Sequence, residues 1–220
     1  MAEPVRLVIF DLDGTLLNTI ADLGEAVNHA LSKHNLPLHT QEEYTMKVGH
    51  GVRNLVTVSL PEDLQGDETM IDACLADFKA WYTSHIDVYT RPYAGMQQLL
   101  CELHSRGVKL AVASNKFQSG TEYLVNRFFG KVPFVAILGN REGYPLKPEP
   151  EIVEECLHKA GVSRSEAILV GDSLTDMKTA ENGGIPGIAV SWGYRDLHGT
   201  PGVRIAESVD ELRYLLNQRE

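Results

Sequence analysis

The chain has 220 residues, 43% of them hydrophobic, with 20 basic against 30 acidic side chains and a formal net charge of −10. It is long enough to bury a sizeable core, as one larger domain or as a core with an insertion, and its acidic excess without a basic run argues against a nucleic-acid surface. Three scattered cysteines, Cys74, Cys101 and Cys156, lack CxxC spacing, and no apolar run approaches the roughly 20 residues that span a bilayer.

An unbroken apolar run, Leu7 to Phe10, reads as a parallel strand covered on both faces. It delivers Asp11 and Asp13 to its carboxyl end, where ligands sit in open α/β sheets, and Gly14 permits a sharp departure. Ile20 to His34 is an amphipathic helix with Ile20, Leu23, Val27, Ala30 and Leu31 on one face, closed by Pro37. A second helix begins at the N-cap Thr40. The turn GHG and a third helical run, VRNLVTVSL, follow until Pro61 stops it. Glu68 to His85 gives a fourth helix with Met70, Ile71, Leu75, Phe78 and Trp81 or Tyr82 inward. No strand intervenes among the four, so they read as an insertion.

Arg91 and Pro92 restart the core, with the proline suited to the first turn of a helix that ends at Gly107. The strand VKLAVAS then ends on Ser114, Asn115 and Lys116, and a helix through TEYLVNRFF leads to a strand at 134–138. Lys147 sits in a proline-bounded turn before a helix over 149–160. A strand over 167–170 leads to Asp172, and a helix over 174–182 carries Asp176. A strand over 187–190 and a final strand and helix within 203–216 complete the chain. This alternation predicts an α/β fold: a doubly wound, parallel, Rossmann-like sheet with right-handed crossovers. The cysteines are expected to be reduced, buried packing residues in a soluble cytoplasmic protein without a signal peptide.

Asp11, Asp13, Asp172 and Asp176 arrive together at two strand ends, and such a gathering of like charges is costly unless a cation joins them. Mg2+ suits an all-oxygen donor set, and no Cys and His ligand pattern competes.

The stretches LVIFDLDGT, LAVASNK, YPLKPEP and LVGDSLTD resemble the four ordered motifs of the haloacid dehalogenase-like hydrolases, over nearly the whole chain. Members of that family mostly transfer phosphoryl groups through an aspartyl phosphate. The resemblance implies a Rossmann-like core of residues 1–16 and 91–220, with residues 17–90 forming a small helical cap domain. It also implies that Asp11 and Asp172 hold magnesium by their side chains and Asp13 by its carbonyl, with Asp176 facing the same site directly or through water. Asp11 is then the nucleophile, and Asp13 protonates the departing alkoxide and later takes a proton from water. Asp13 also argues against carbon–halide cleavage, which needs no such acid. Ser114 and the amides of Gly14 and Asn115 would bind phosphoryl oxygens, while Lys147 pairs with phosphate and Asp11.

The turn KVGHGVRNLV, with Lys47, His50 and Arg53, resembles the phosphoglycolate phosphatase branch. Its glycines would let the loop approach the core, and Arg53 would grip a substrate carboxylate in bidentate fashion. The expectation is a magnesium-dependent phosphatase acting on a small phosphorylated metabolite, without nucleic-acid or membrane partners, as a monomer or weak homodimer. A β-phosphoglucomutase-like sugar phosphomutase and a pyrophosphatase share the motifs. A non-catalytic binding protein on this fold would have lost a motif acid, and none is lost.

Overall fold

The run Leu7–Phe10 forms β1, and none of its four side chains is exposed. Val8 and Phe10 join one hydrophobic cluster while Leu7 and Ile9 join another, because successive strand residues point to opposite faces and both faces are covered. The computed structural model describes residues 4–218, so the first three and last two residues of the expected core lie outside the described residues.

After β1 the chain forms a two-residue strand, β2 (Leu17–Asn18), and then four α-helices: α1 (Ile20–Lys33), α2 (Gln41–Lys47), α3 (Val52–Thr57) and α4 (Glu68–His85). It returns through β3 (Arg91–Pro92), which pairs antiparallel with β2. Next come α5 (Met96–Ser105), β4 (Lys109–Phe117), α6 (Gln118–Phe129), β5 (Phe134–Asn140), α7 (Glu151–Ala160), β6 (Ala167–Gly171) and α8 (Leu174–Asn182). The chain ends with β7 (Gly187–Val190), β8 (Ile205–Ala206) and α9 (Val209–Asn217).

Six of these strands form one sheet in the order β5-β4-β1-β6-β7-β8, with every pair parallel. Helices α5, α6 and α9 contribute to the cluster on one face, and α7 and α8 to that on the other. The chain leaves β1 for β4 on one side and β6 on the other, so the crevice at the carboxyl end of β1 is a topological switch point. Phe10 lies level with Val112 of β4 and Val170 of β6, which brings Asp11, Ser114 and Asp172 to adjacent strand ends.

The inserted helices follow the predicted periodicity, with differences at their ends. Ile20, Leu23, Val27, Ala30 and Leu31 are all buried. Helix α1 stops before Pro37, because Asn35 takes the left-handed conformation (φ 57°) and the Leu36 amide turns back to the Leu31 carbonyl. Thr40 does cap α2: its hydroxyl accepts from the Glu43 amide, and the Glu43 carboxylate accepts from the Thr40 amide at 2.7 Å. On α4 it is Tyr82 that turns inward, with Ile71, Cys74 and Phe78, while Trp81 stacks between His29 and His85. Pro92 belongs to β3 and not to a first helical turn; a two-stranded ribbon leaves an edge position that needs no amide, and α5 starts only after Gly95. Cys74 and Cys156 are buried as expected, whereas Cys101 is exposed on α5. Among the described residues no helix is long and apolar enough to cross a membrane.

The ribbon is secured by Asp22, a buried acid in the first turn of α1. Its carboxylate accepts from the amides of Tyr89 and Thr90 and from the Thr90 hydroxyl at 2.7 Å. Removing it orphans the buried Thr90 amide and the part-buried Tyr89 amide at the point where the chain re-enters the core, while the Thr90 hydroxyl keeps the Ile86 carbonyl. Asp22→Ala is therefore expected to lower the free energy of unfolding by about 3 kcal/mol, and Asp22→Asn by roughly half that, in urea denaturation. An unchanged midpoint in both variants would contradict this role.

Candidate active site

The site begins with the register of three strands. Asp11 follows β1, Ser114 lies within β4 and Asp172 follows β6, and all three are buried and line one cleft beneath the inserted helices. Close approach of these segments requires glycine. Gly14 has φ +87°, and a Cβ there would lie 2.3 Å from Asp172 Oδ2; a Cβ on Gly193 would lie 2.2 Å from the Asp172 Cβ. The expected role of the Gly14 amide is not supported, since it donates to the Leu17 carbonyl at 2.8 Å to close the turn. Its contribution is the space it leaves for Asp172.

Carboxylate oxygens of Asp11, Asp172 and Asp176 lie within 4.8 Å of one another. Lys147 Nζ donates to Asp11 Oδ1 at 2.8 Å and to Asp176 Oδ1 at 2.6 Å, with all three side chains almost wholly buried. One ammonium faces three carboxylates, and the electrostatics register the excess. Burial pushes the Asp11 carboxyl up to about 8 against the pull of Lys147, with Asp176 and Asp172 adding to the rise. Burial and then Asp176 push Asp172 up to about 7, although the Tyr194 amide donates to it at 2.7 Å. Burial disfavours the charge on Lys147, but Asp11 and Asp176 outweigh it and hold the ammonium above its ordinary range. Asp176 is fixed by a capping box at the start of α8, where its carboxylate accepts from the Ser173 hydroxyl at 2.6 Å. A buried, oxygen-only donor set with surplus negative charge fits a divalent cation, and fits magnesium better than a softer metal.

Asp13 stands apart from this cluster and has its own cation. Lys116 Nζ lies 3.2 and 3.4 Å from its two carboxylate oxygens and donates to the Tyr82 hydroxyl at 2.7 Å. The Thr19 hydroxyl donates to Asp13 Oδ1 at 2.7 Å, and the Tyr194 hydroxyl accepts from the Thr19 amide at 2.8 Å. Burial, reinforced by Asp13, holds both Tyr82 and Tyr194 well above the ordinary phenol value, so both remain neutral hydrogen-bonding groups. Sequence reasoning took Lys116 as the end of a strand. The signal was its position two residues beyond Ser114, near the carboxyl end of β4.

The residues expected to read substrate divide differently. Lys47 donates to the Val58 carbonyl at the end of α3, at 2.6 Å, and does not line the cleft. His50 is exposed, also outside it. Arg53 is exposed on the outer face of α3, where it pairs with Asp72 at 2.6 Å and with Glu68, both on α4. The carboxylate-gripping geometry expected of Arg53 is thus replaced by a surface ion pair, because the helical face that carries it packs beside α4. What the loop presents to the cleft is Val48, Gly49, Gly51 and Val52. The close approach does occur: Asn115 Nδ2 donates to the Gly49 carbonyl at 2.9 Å, and Asn115 Oδ1 accepts from the Lys147 amide at 2.8 Å. Asn115 therefore joins the inserted loop to the turn that carries Lys147. Tyr194 and Arg195, which share the loop after β7, also line the cleft and were not singled out by sequence as functional.

The chain matches the family model of haloacid dehalogenase-like hydrolases over residues 8–190. It is 33% identical over 199 residues to a phosphoglycolate phosphatase of Mesorhizobium japonicum, spanning 90% of this chain and 87% of the relative. A phosphoglycolate phosphatase of Agrobacterium fabrum is 32% identical over 192 residues, spanning 87% and 82%. A crystal structure from Lactobacillus delbrueckii subsp. bulgaricus, described as a candidate phosphoglycolate phosphatase, has a TM-score of 0.91 at 31% identity across 97% of this chain and 99% of that one. Since the match runs from the strand that carries Asp11 to the end of the strand before Tyr194, and includes all four acids, this chain belongs to the haloacid dehalogenase-like hydrolases.

Proposed function

We propose that the protein is a magnesium-dependent phosphatase that hydrolyses a small phosphomonoester of the phosphoglycolate type through an aspartyl phosphate on Asp11. The observation that carries this reading is the separation of the acids into two sets: Asp11 with Lys147 in an over-negative cluster, and Asp13 two residues on with a lysine of its own. One set suits nucleophilic attack and phosphate binding, the other proton transfer. The names of the curated relatives support the substrate class.

Asp11 attacks phosphorus in line; the new Asp11 O–P bond forms as the bond to the substrate alkoxide breaks, and Asp13 gives that alkoxide its proton. In the second half a water attacks the phosphoenzyme, Asp13 takes the proton back, and cleavage of the Asp11 O–P bond releases phosphate. Ser114 and Lys147 stabilise the transferring group, where charge spreads over the equatorial oxygens. Lys147 also keeps one Asp11 oxygen oriented by its 2.8 Å contact. Bound magnesium supplies further neutralisation of phosphoryl charge, and the side chains of Asp11 and Asp172 and the Asp13 carbonyl would hold it, with Asp176 beside them. Helices α1–α4, residues 17–90, act as a cap whose Val48, Val52, Leu55 and Phe78 give the cleft an apolar wall that excludes bulk water.

Phosphate release from phosphoglycolate, measured beside pyrophosphate and a sugar 1-phosphate with magnesium present, tests the reaction and its preferred substrate. Asp11→Asn is expected to lower turnover by about a thousandfold or more, because the amide keeps an acceptor for Lys147 but is not a nucleophile. Its thermal melt should stay close to that of the parent. Near-parental turnover in that variant would refute the phosphoenzyme.

Removal of divalent cations by a chelator is expected to abolish turnover, and magnesium to restore it. Calcium should not restore it, since its larger and looser coordination misplaces the attacking carboxylate. Full activity in chelator would refute the metal requirement.

A further inference from the structure

Three cations line the cleft: Lys116, Lys147 and Arg195. The two lysines are matched by acids, Lys116 by Asp13 and Lys147 by Asp11 and Asp176. Arg195 differs, because its partners among the described residues are neutral. Its Nη2 donates to the carbonyls of Met46 at 2.8 Å and Val48 at 2.9 Å, and Nη1 approaches the Met46 sulfur at 3.8 Å. Partial burial lowers the guanidinium from its ordinary value, and Asp172 offsets this only in part. A half-buried cation whose hydrogen bonds all go to neutral acceptors keeps a positive charge that an anion can meet.

We propose that Arg195 reads a carboxylate on the substrate, an inference that rests on the phosphatase reading above. A phosphomonoester seated with its phosphoryl group between Asp11, Ser114 and Lys147 must turn any second anion towards some other part of the cleft wall. Much of that wall is apolar, formed by Val48, Val52, Leu55 and Phe78, and Lys116 is already committed to Asp13. Arg53 and Lys47 are engaged outside the cleft. Arg195 is the cation left: Nη2 is taken up by carbonyls 46 and 48, and Nη1, held among the described residues only by the Met46 sulfur, is the edge that remains to meet a carboxylate in a charge-assisted hydrogen bond. A single guanidinium suits a singly charged planar group better than a second phosphate, which calls for more donors. Carbonyls 46 and 48 lie at the end of α2, so the same side chain that meets the carboxylate also secures the inserted loop at the cleft mouth.

The test uses the full chain with magnesium and two substrates that share a skeleton, phosphoglycolate and 2-hydroxyethyl phosphate. The quantity read is the ratio of their kcat/KM values. Arg195→Ala and Arg195→Gln are both expected to lower that ratio about ten- to a hundredfold, mainly through the KM of phosphoglycolate. The glutamine variant keeps an amide donor for the loop carbonyls, so it separates loss of charge from loss of the loop contact. A ratio unchanged in both variants would mean that Arg195 only fastens the loop, and a ratio that falls with Arg53→Ala instead would return the carboxylate to α3; either overturns the proposal. A parent enzyme that hydrolyses 2-hydroxyethyl phosphate without preferring phosphoglycolate also overturns it, while leaving the phosphatase reading intact. Hydrolysis of neither compound, nor of the other phosphoesters tested, would overturn the phosphatase reading and this inference with it.

Discussion

Lys147 holds two carboxylates that belong to opposite ends of the sequence, Asp11 after the first strand and Asp176 on α8. Three acids whose carboxylate oxygens lie within 4.8 Å of one another repel strongly in a buried site, and a single ammonium offsets only part of that repulsion. Much of the local architecture serves this balance. Gly14 and Gly193 leave room for Asp172, the Tyr194 amide supports one of its oxygens, and Ser173 anchors Asp176 at a helix start. The remaining negative charge suits the cluster to a divalent cation. An acidic protein can thus bind an anionic substrate, because local charge and not the net count decides.

The inserted helices meet this centre through few but specific contacts. They enter and leave by the β2–β3 ribbon, tied by Asp22. Tyr82 of α4 reaches Lys116 and through it Asp13, while Asn115 and Arg195 hold the carbonyls of residues 46, 48 and 49. Most of these contacts from the core end on backbone carbonyls, so the loop between α2 and α3 is positioned by its main chain whatever side chains it bears. Side chains at the loop are then free to vary the apolar wall without disturbing the acids beneath.

Much of this was legible from sequence because it depends on local physics. An apolar run of four residues followed by two acids specifies a buried strand that presents carboxylates at its end, and strand and helix alternation forces the parallel sheet that aligns Asp11, Ser114 and Asp172. The helix at Glu68 and the cap at Thr40 likewise follow from periodicity and capping chemistry.

What the sequence did not determine is what stands opposite each side chain. Periodicity tells which residues of a helix share a face, but whether Arg53 faces the cleft or Glu68 and Asp72 depends on how α3 packs beside α4. Lys116 meets Asp13 and Tyr82 of α4 at once, and Arg195 enters the cleft because the loop after β7 folds back against residues separated from it by almost 150 positions. The acids and their spacing are properties of single elements, and so the sequence by itself determined them. The choice of cations that face them, and of the arginine left to meet a substrate, arises from contacts between elements, which only the tertiary structure decided.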